Sequence, residues 1–86
     1  MNKTDFLTVK EYAQRTCVTM KSVRKAIKLG RIPKWAVIRV TDGGRTYILI
    51  NKFEADKGWV KYASLLHGTP AARAAVQRII MEYETA

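Results

Sequence analysis

The sequence is poor in the residues that carry most enzyme and metal chemistry. Its 86 residues include one cysteine, Cys17, one histidine, His67, and seven Asp or Glu. A single cysteine cannot form an internal disulfide, and Cys17 with His67 falls short of the four ligands of a structural zinc site. There is no phosphate-binding glycine loop and no paired-carboxylate spacing. The lone histidine follows Leu65-Leu66 and precedes Gly68, which reads as a cap at a helix C-terminus and not as a general base. Neither catalysis, nor a metal, nor a cofactor is therefore expected. No apolar run approaches the ~18–20 residues of a membrane span. Met1 to Phe6 is polar, so no secretory signal is expected either, and the expected location is intracellular. Internal repeats, low-complexity tracts and Gly/Ser linkers are also missing, so stability must come from packing alone.

What is present in excess is positive charge. Lys+Arg number 16, giving a formal net charge of +9 on 9.8 kDa. With 48% hydrophobic and 27% charged residues the composition is that of a globular domain. One small domain of this length buries only ~60–65% of the surface its unfolded chain exposes, so its core is modest. A compact cation of this kind repels itself until a polyanion relieves it, which makes nucleic acid the leading partner. The excess is uneven. Residues 1–63 hold fourteen Lys or Arg against five acids, while residues 64–86 hold two of each. The chain thus reads as a basic DNA-binding body, 1–63, and a neutral C-terminal helical extension of the same domain, 64–86. A membrane-surface role would need cations and large apolar groups on opposite faces of one long helix. The C-terminal segment has the apolar stripe without the basic face.

Local signals order the elements. Thr8-Val-Lys-Glu11 is a capping box, and the helix it opens places Val9, Tyr12, Ala13 and Thr16 on one face. Thr19 caps a second helix, Met20 to Leu29, which Gly30 and Pro33 terminate. Two β-rich runs follow, Trp35–Val40 and Thr46–Ile50, with Asp42-Gly43-Gly44 between them as a hairpin turn. Asn51 and Glu54 repeat the capping logic for a third helix from Lys52, patterned through Phe53, Trp59, Tyr62, Ala63 and Leu66, with Gly58 as a possible break or bend. Thr69-Pro70 opens a last helix whose stripe is Ala72, Ala75, Val76, Ile79, Ile80 and Tyr83. Helix, turn, helix, hairpin, helix is the layout of a winged helix-turn-helix. The predicted class is α+β, with a two-stranded hairpin wing and an extra C-terminal helix.

On a wheel of ~100° per residue, Val23, Ala26 and Ile27 of the second helix share one arc. Lys21, Arg24, Lys25 and Lys28 share the opposite one, flanked by Ser22. A solvated face ordinarily mixes signs, yet no acid occurs between Glu11 and Asp42. A face built to enter the major groove explains the one-sided charge. Arg31 and Lys34 read as phosphate contacts. Arg39 and Arg45 either contact the backbone or minor groove as a wing, or are solvated residues of a plain tight turn.

These residues resemble a known family. Leu7-Thr-Val-Lys-Glu-Tyr-Ala13, Cys17-Val-Thr19, Val23 to Gly30-Arg-Ile-Pro33 and Asn51-Lys-Phe-Glu54 are similar to the excisionase-type, MerR-like winged helix, over about residues 6–57. The length, basicity and extra helix look most like the Cox and Apl proteins of temperate coliphages. There are two departures. Cys17 stands at the usual turn glycine and reads as a buried small hydrophobe, and Leu29 replaces a polar residue and is placed under the wing. By position, the family's DNA-reading residues fall on Lys21, Ser22, Arg24, Lys25 and Lys28, with wing contacts near Arg39 and Arg45.

The resemblance implies a phage excisionase in the cytoplasm of a bacterial host. Such a protein binds and bends double-stranded attachment-site DNA to assist a tyrosine-type integrase, and also represses transcription. Bending a site costs ~1–6 kcal/mol, which calls for several protomers together. The alternatives are a dedicated repressor, or the DNA-binding part of a phage small terminase with an ATPase partner. A MerR-type effector-binding regulator needs a dimerising coiled coil that a chain this short lacks. For the tail two readings stand. Either its stripe folds back on Trp59, Tyr62 and Leu66, or part of it, Ile80 and Met81, faces a neighbouring protomer.

Overall fold

The computed structural model describes residues 5–61 and 69–85, the last three by backbone only. The described elements are β1 (Phe6–Thr8), α1 (Val9–Thr16), α2 (Met20–Lys28), a 3-10 turn (Lys34–Ala36), β2 (Val37–Asp42), β3 (Arg45–Asn51), α3 (Lys52–Lys61) and α4 (Pro70–Thr85). The fold is a small α+β arrangement compatible with a winged helix. Its sheet differs from the expected two-stranded hairpin: three antiparallel strands run in the order β1-β3-β2. The added strand pairs Phe6, Leu7 and Thr8 with Asn51, Ile50 and Leu49. Three residues are too few to display a period-2 pattern, but Leu7 packs against the core beside fully buried Ile50, and that burial recruits the strand.

The helix ends follow local chemistry. Thr8 and Glu11 form the reciprocal box, with Glu11 N–H donating to Thr8 Oγ1 at 3.1 Å and Thr8 N–H to Glu11 Oε1 at 2.9 Å. Both α1 and α2 close on a left-handed residue followed by a backbone bond to the last full turn. At α2 that residue is Gly30, φ +78°, and Arg31 N–H donates to Ala26 O at 2.9 Å. At α1 it is Cys17, φ +56°, with Val18 N–H donating to Ala13 O at 3.1 Å. The turn keeps the backbone a glycine would give, at the expense of a strained cysteine that is exposed and not buried. The hairpin turn is two residues with positive φ, Gly43 and Gly44, as type I′ requires. The first β run starts later than expected, because Pro33 opens a 3-10 turn through Lys34–Ala36 and takes Trp35 out of the strand.

The core joins all layers: Val9, Tyr12, Ala13, Val23, Ala26, Ile32, Ile50, Trp59, Val76 and Ile79 form one cluster. Tyr12 and Trp59 meet edge to face, ring centres 5.8 Å apart. In α3 the buried positions are Ala55, Asp56, Gly58 and Trp59, which leaves Phe53 half in solvent and not in the stripe expected for it. Gly58 does not break the helix. It lets α3 approach the Arg31–Pro33 loop so closely that an added Cβ would collide with Arg31 O and lie 2.9 Å from Pro33 Cδ. Tyr62, Ala63, Leu66 and His67 lie outside the described residues, as does the side chain of Tyr83. α4 packs on α1 and α3. Its buried stripe is Ala72, Ala75, Val76 and Ile79, with Ile80 half-buried against the core, so folding back accounts for most of it.

Buried Asp56 ties α3 to α1, and its partner Arg15 extends the link to α4. Tyr12 Oη donates to its Oδ1 at 3.0 Å, and Arg15 grips both oxygens, Nε to Oδ1 at 3.3 Å and Nη2 to Oδ2 at 2.7 Å. Arg15 Nη2 also meets Glu82 of α4 at 2.7 Å, and Arg78 donates to Arg15 O at 3.0 Å. Burial pushes the Tyr12 phenol well above its ordinary range, and the Asp56 charge adds to it. The Arg15 hydrogen bond holds Glu82 below the usual carboxylate range.

Candidate nucleic-acid interface

α2 divides as the wheel requires. Val23 and Ala26 are buried and Ile27 half-buried, while Lys21, Ser22, Arg24, Lys25 and Lys28 are exposed. The helix is held at its start by Thr19, whose Oγ1 accepts Ser22 N–H at 3.1 Å. The Ser22 hydroxyl lies 2.9 Å from the same oxygen, so this residue serves the cap first. Within the face, Lys21–Lys25 and Arg24–Lys28 are like-charge pairs four apart, and Lys21–Arg24 and Lys25–Lys28 three apart. At a few tenths of a kcal/mol each, they cost roughly 1–2 kcal/mol together. Among the described residues, the ion pairs join Arg15 to Asp56 and Glu82 and Lys57 to Glu54, and none relieves this face.

The remaining cations do not form one cluster. Arg31 is half-buried where the chain leaves α2, and Lys34 is exposed on the 3-10 turn. Arg39 and Arg45 are both exposed on the hairpin, but strand alternation puts them on opposite faces. Arg39 sits opposite Ile48 on the face that carries buried Ile50, whereas Arg45 sits opposite Asp42 on the outer face. That outer face also carries Ile38 and Tyr47, exposed, and Val40 and Leu49, half-buried. Leu29 is exposed and does not pack under the hairpin: Gly30 turns the chain away immediately after it. Of the two tail residues expected to face a neighbour, Ile80 is half-buried against the core and Met81 is 65% exposed.

Trp35, expected to open a strand, stands on the 3-10 turn instead. It is the most exposed large apolar side chain described, at 75%. Its indole N–H donates to Glu54 Oε2 at 3.1 Å, and Lys57 Nζ meets Glu54 Oε1 at 3.2 Å. The Trp35 bond, then Lys57, holds the Glu54 carboxyl below its usual range. The available signal was Pro33, which ends the run after α2 and sets the φ of a tight turn. Among the described residues no helix is long and apolar enough to cross a membrane. Comparison of the chain with protein-family models, with curated proteins and with solved structures finds no match.

Proposed function

We propose that this chain is a sequence-specific DNA-binding protein of the winged helix-turn-helix type, acting as a phage excisionase. It binds and bends attachment-site DNA, promotes excision by a tyrosine-type integrase, and represses transcription from neighbouring promoters. The observation that carries the reading is the exposed face of α2. Four cations stand there without an acid, over a fully buried Val23, at a cost in repulsion that a phosphate-lined groove turns into attraction. The hairpin supports it as a wing, with Arg45 beside a two-glycine turn that permits close backbone approach. Because Arg39 and Arg45 point to opposite faces, one of them at most reads the groove the tip enters. Half-buried Ile80 and exposed Met81 are the tail's candidates for contact between neighbouring protomers.

Footprinting over the DNA around the protein's own gene tests the reading. Protection in repeats across an attachment site, with phased bending, is the expected result. Protection of promoters alone makes the protein a dedicated repressor. Protection of a packaging site makes it a terminase component.

A further inference from the structure

Trp35 stands out once the DNA-binding reading is set beside the fold. A tryptophan left 75% in solvent forgoes most of the burial that normally stabilises it. The side chain is nevertheless held in place. Ile32 and Ala36 are fully buried on either side of it, so the turn is anchored at both ends while Lys34 and Trp35 project. The bond to Glu54 satisfies the polar edge of the indole and fixes its orientation, leaving most of the ring in water. Little side-chain entropy remains to be lost when a partner covers it.

The surroundings indicate what that partner is. Arg31 and Lys34 precede Trp35 in the chain, and Lys57 meets the carboxylate that the indole bonds. Glu54, paired with Lys57 and bonded to the indole, presents little net charge outward. A fixed apolar ring next in the chain to Arg31 and Lys34, which the ion pairs among the described residues do not engage, complements a nucleic-acid strand, whose phosphates alternate with apolar sugar faces. The turn also joins α2 to β2, the two segments assigned to the DNA.

We propose that Trp35 is a DNA contact: its ring packs on a deoxyribose of the duplex strand whose phosphates Arg31 and Lys34 hold, making the 3-10 turn a third point of attachment. The inference rests on the DNA-binding reading and names a residue outside the charged set. The contact is to the backbone, so it strengthens binding to all sequences alike.

The chain has two tryptophans, and Trp59 is 1% exposed, so acrylamide reports on Trp35 in the unmodified protein. The probes are a short random-sequence duplex and its single strand, at low salt, with binding followed separately by anisotropy of the labelled DNA. The duplex is expected to shield Trp35 from quenching. Trp35→Ala is expected to weaken duplex binding on the order of tenfold, and Trp35→Phe to recover most of the loss. If the duplex binds while Trp35 stays fully quenchable and Trp35→Ala binds like the parent, this contact is wrong and the DNA reading stands. Shielding by the single strand alone overturns the duplex contact. If neither DNA binds, the DNA reading falls and takes this contact with it.

Discussion

Replacing Gly58 by alanine sets two effects of known sign against each other. In an isolated helix the change favours folding by ~1 kcal/mol, because glycine is a poor helix former. In this fold the new methyl group lands on Arg31 O and within 2.9 Å of Pro33 Cδ. A flexible side chain would swing aside, but neither obstacle can. The loop bearing that carbonyl is pinned by the bonds from Arg31 and Ile32 N–H to Ala26 O, at 2.9 and 3.2 Å, and by buried Ile32. Overpacking against an unyielding wall costs ~1–3 kcal/mol or more, and here the upper end applies. The expected balance is a loss of ~1–2 kcal/mol, which for a domain of this size lowers the melting temperature by roughly 5–15 °C. Thermal and urea unfolding followed by circular dichroism measure it. A Gly58→Ala protein that melts at or above the parent temperature would refute the claim that this glycine is present for close approach.

Asp56→Asn leaves the shape but strips the charge that Arg15 grips, and should cost ~2–4 kcal/mol in urea melts, with Tyr12→Phe costing less because the ion pair survives. The Glu82 carboxyl is held low by Arg15, so its contribution is complete above the ordinary carboxylate pKa of ~4.3 and fades as the pH falls through its lower folded value. The stability gap between the parent and Glu82→Gln should therefore close in acid, and a gap that persists at low pH contradicts the assignment. The Tyr12 phenol is raised by burial, so stability should decline as the pH climbs beyond ~10, and Tyr12→Phe should lack that decline. Cys17→Gly relieves a left-handed φ and should stabilise by a few tenths to ~1 kcal/mol, with no gain counting against strain at the turn. Arg24→Ala should lose ~1–3 kcal/mol on a specific site and relax one base pair, whereas Arg45→Ala should weaken all sequences and lower the salt slope by ~1 in binding titrations.

The elements set by neighbours in sequence were legible: the capping box at Thr8, the cap at Thr19, the close at Gly30 and the Asp42–Arg45 hairpin each depend on residues a few positions apart. What escaped depends on distant partners. Asp56 lies 44 residues from Tyr12 and 41 from Arg15, and nothing local marks it as buried. For the same reason α3 misleads: its inward face is Ala55, Asp56, Gly58 and Trp59, so the apolar pattern pointed to Phe53, which the fold turns outward. β1 is too short to show a period. On the candidate interface, the helix cations were recoverable from the wheel. The split of Arg39 from Arg45 needed the strand register, and Trp35 needed the turn that Pro33 starts.

Thr8 and Asn51 each end a strand and sit directly before a helix, with no spacer residue at either corner. Asn51 Oδ1 accepts Glu54 N–H at 3.1 Å, as Thr8 Oγ1 accepts Glu11 N–H on the neighbouring strand. A residue inserted at either corner would rotate the following helix by about 100°, carrying its buried face into water. A residue inserted at the hairpin tip adds only a small loop-closure term. The two corners are thus far less tolerant of a change in length than the hairpin tip. An insertion between Asp42 and Arg45 would lengthen the hairpin while leaving the angle it makes with the helices unchanged.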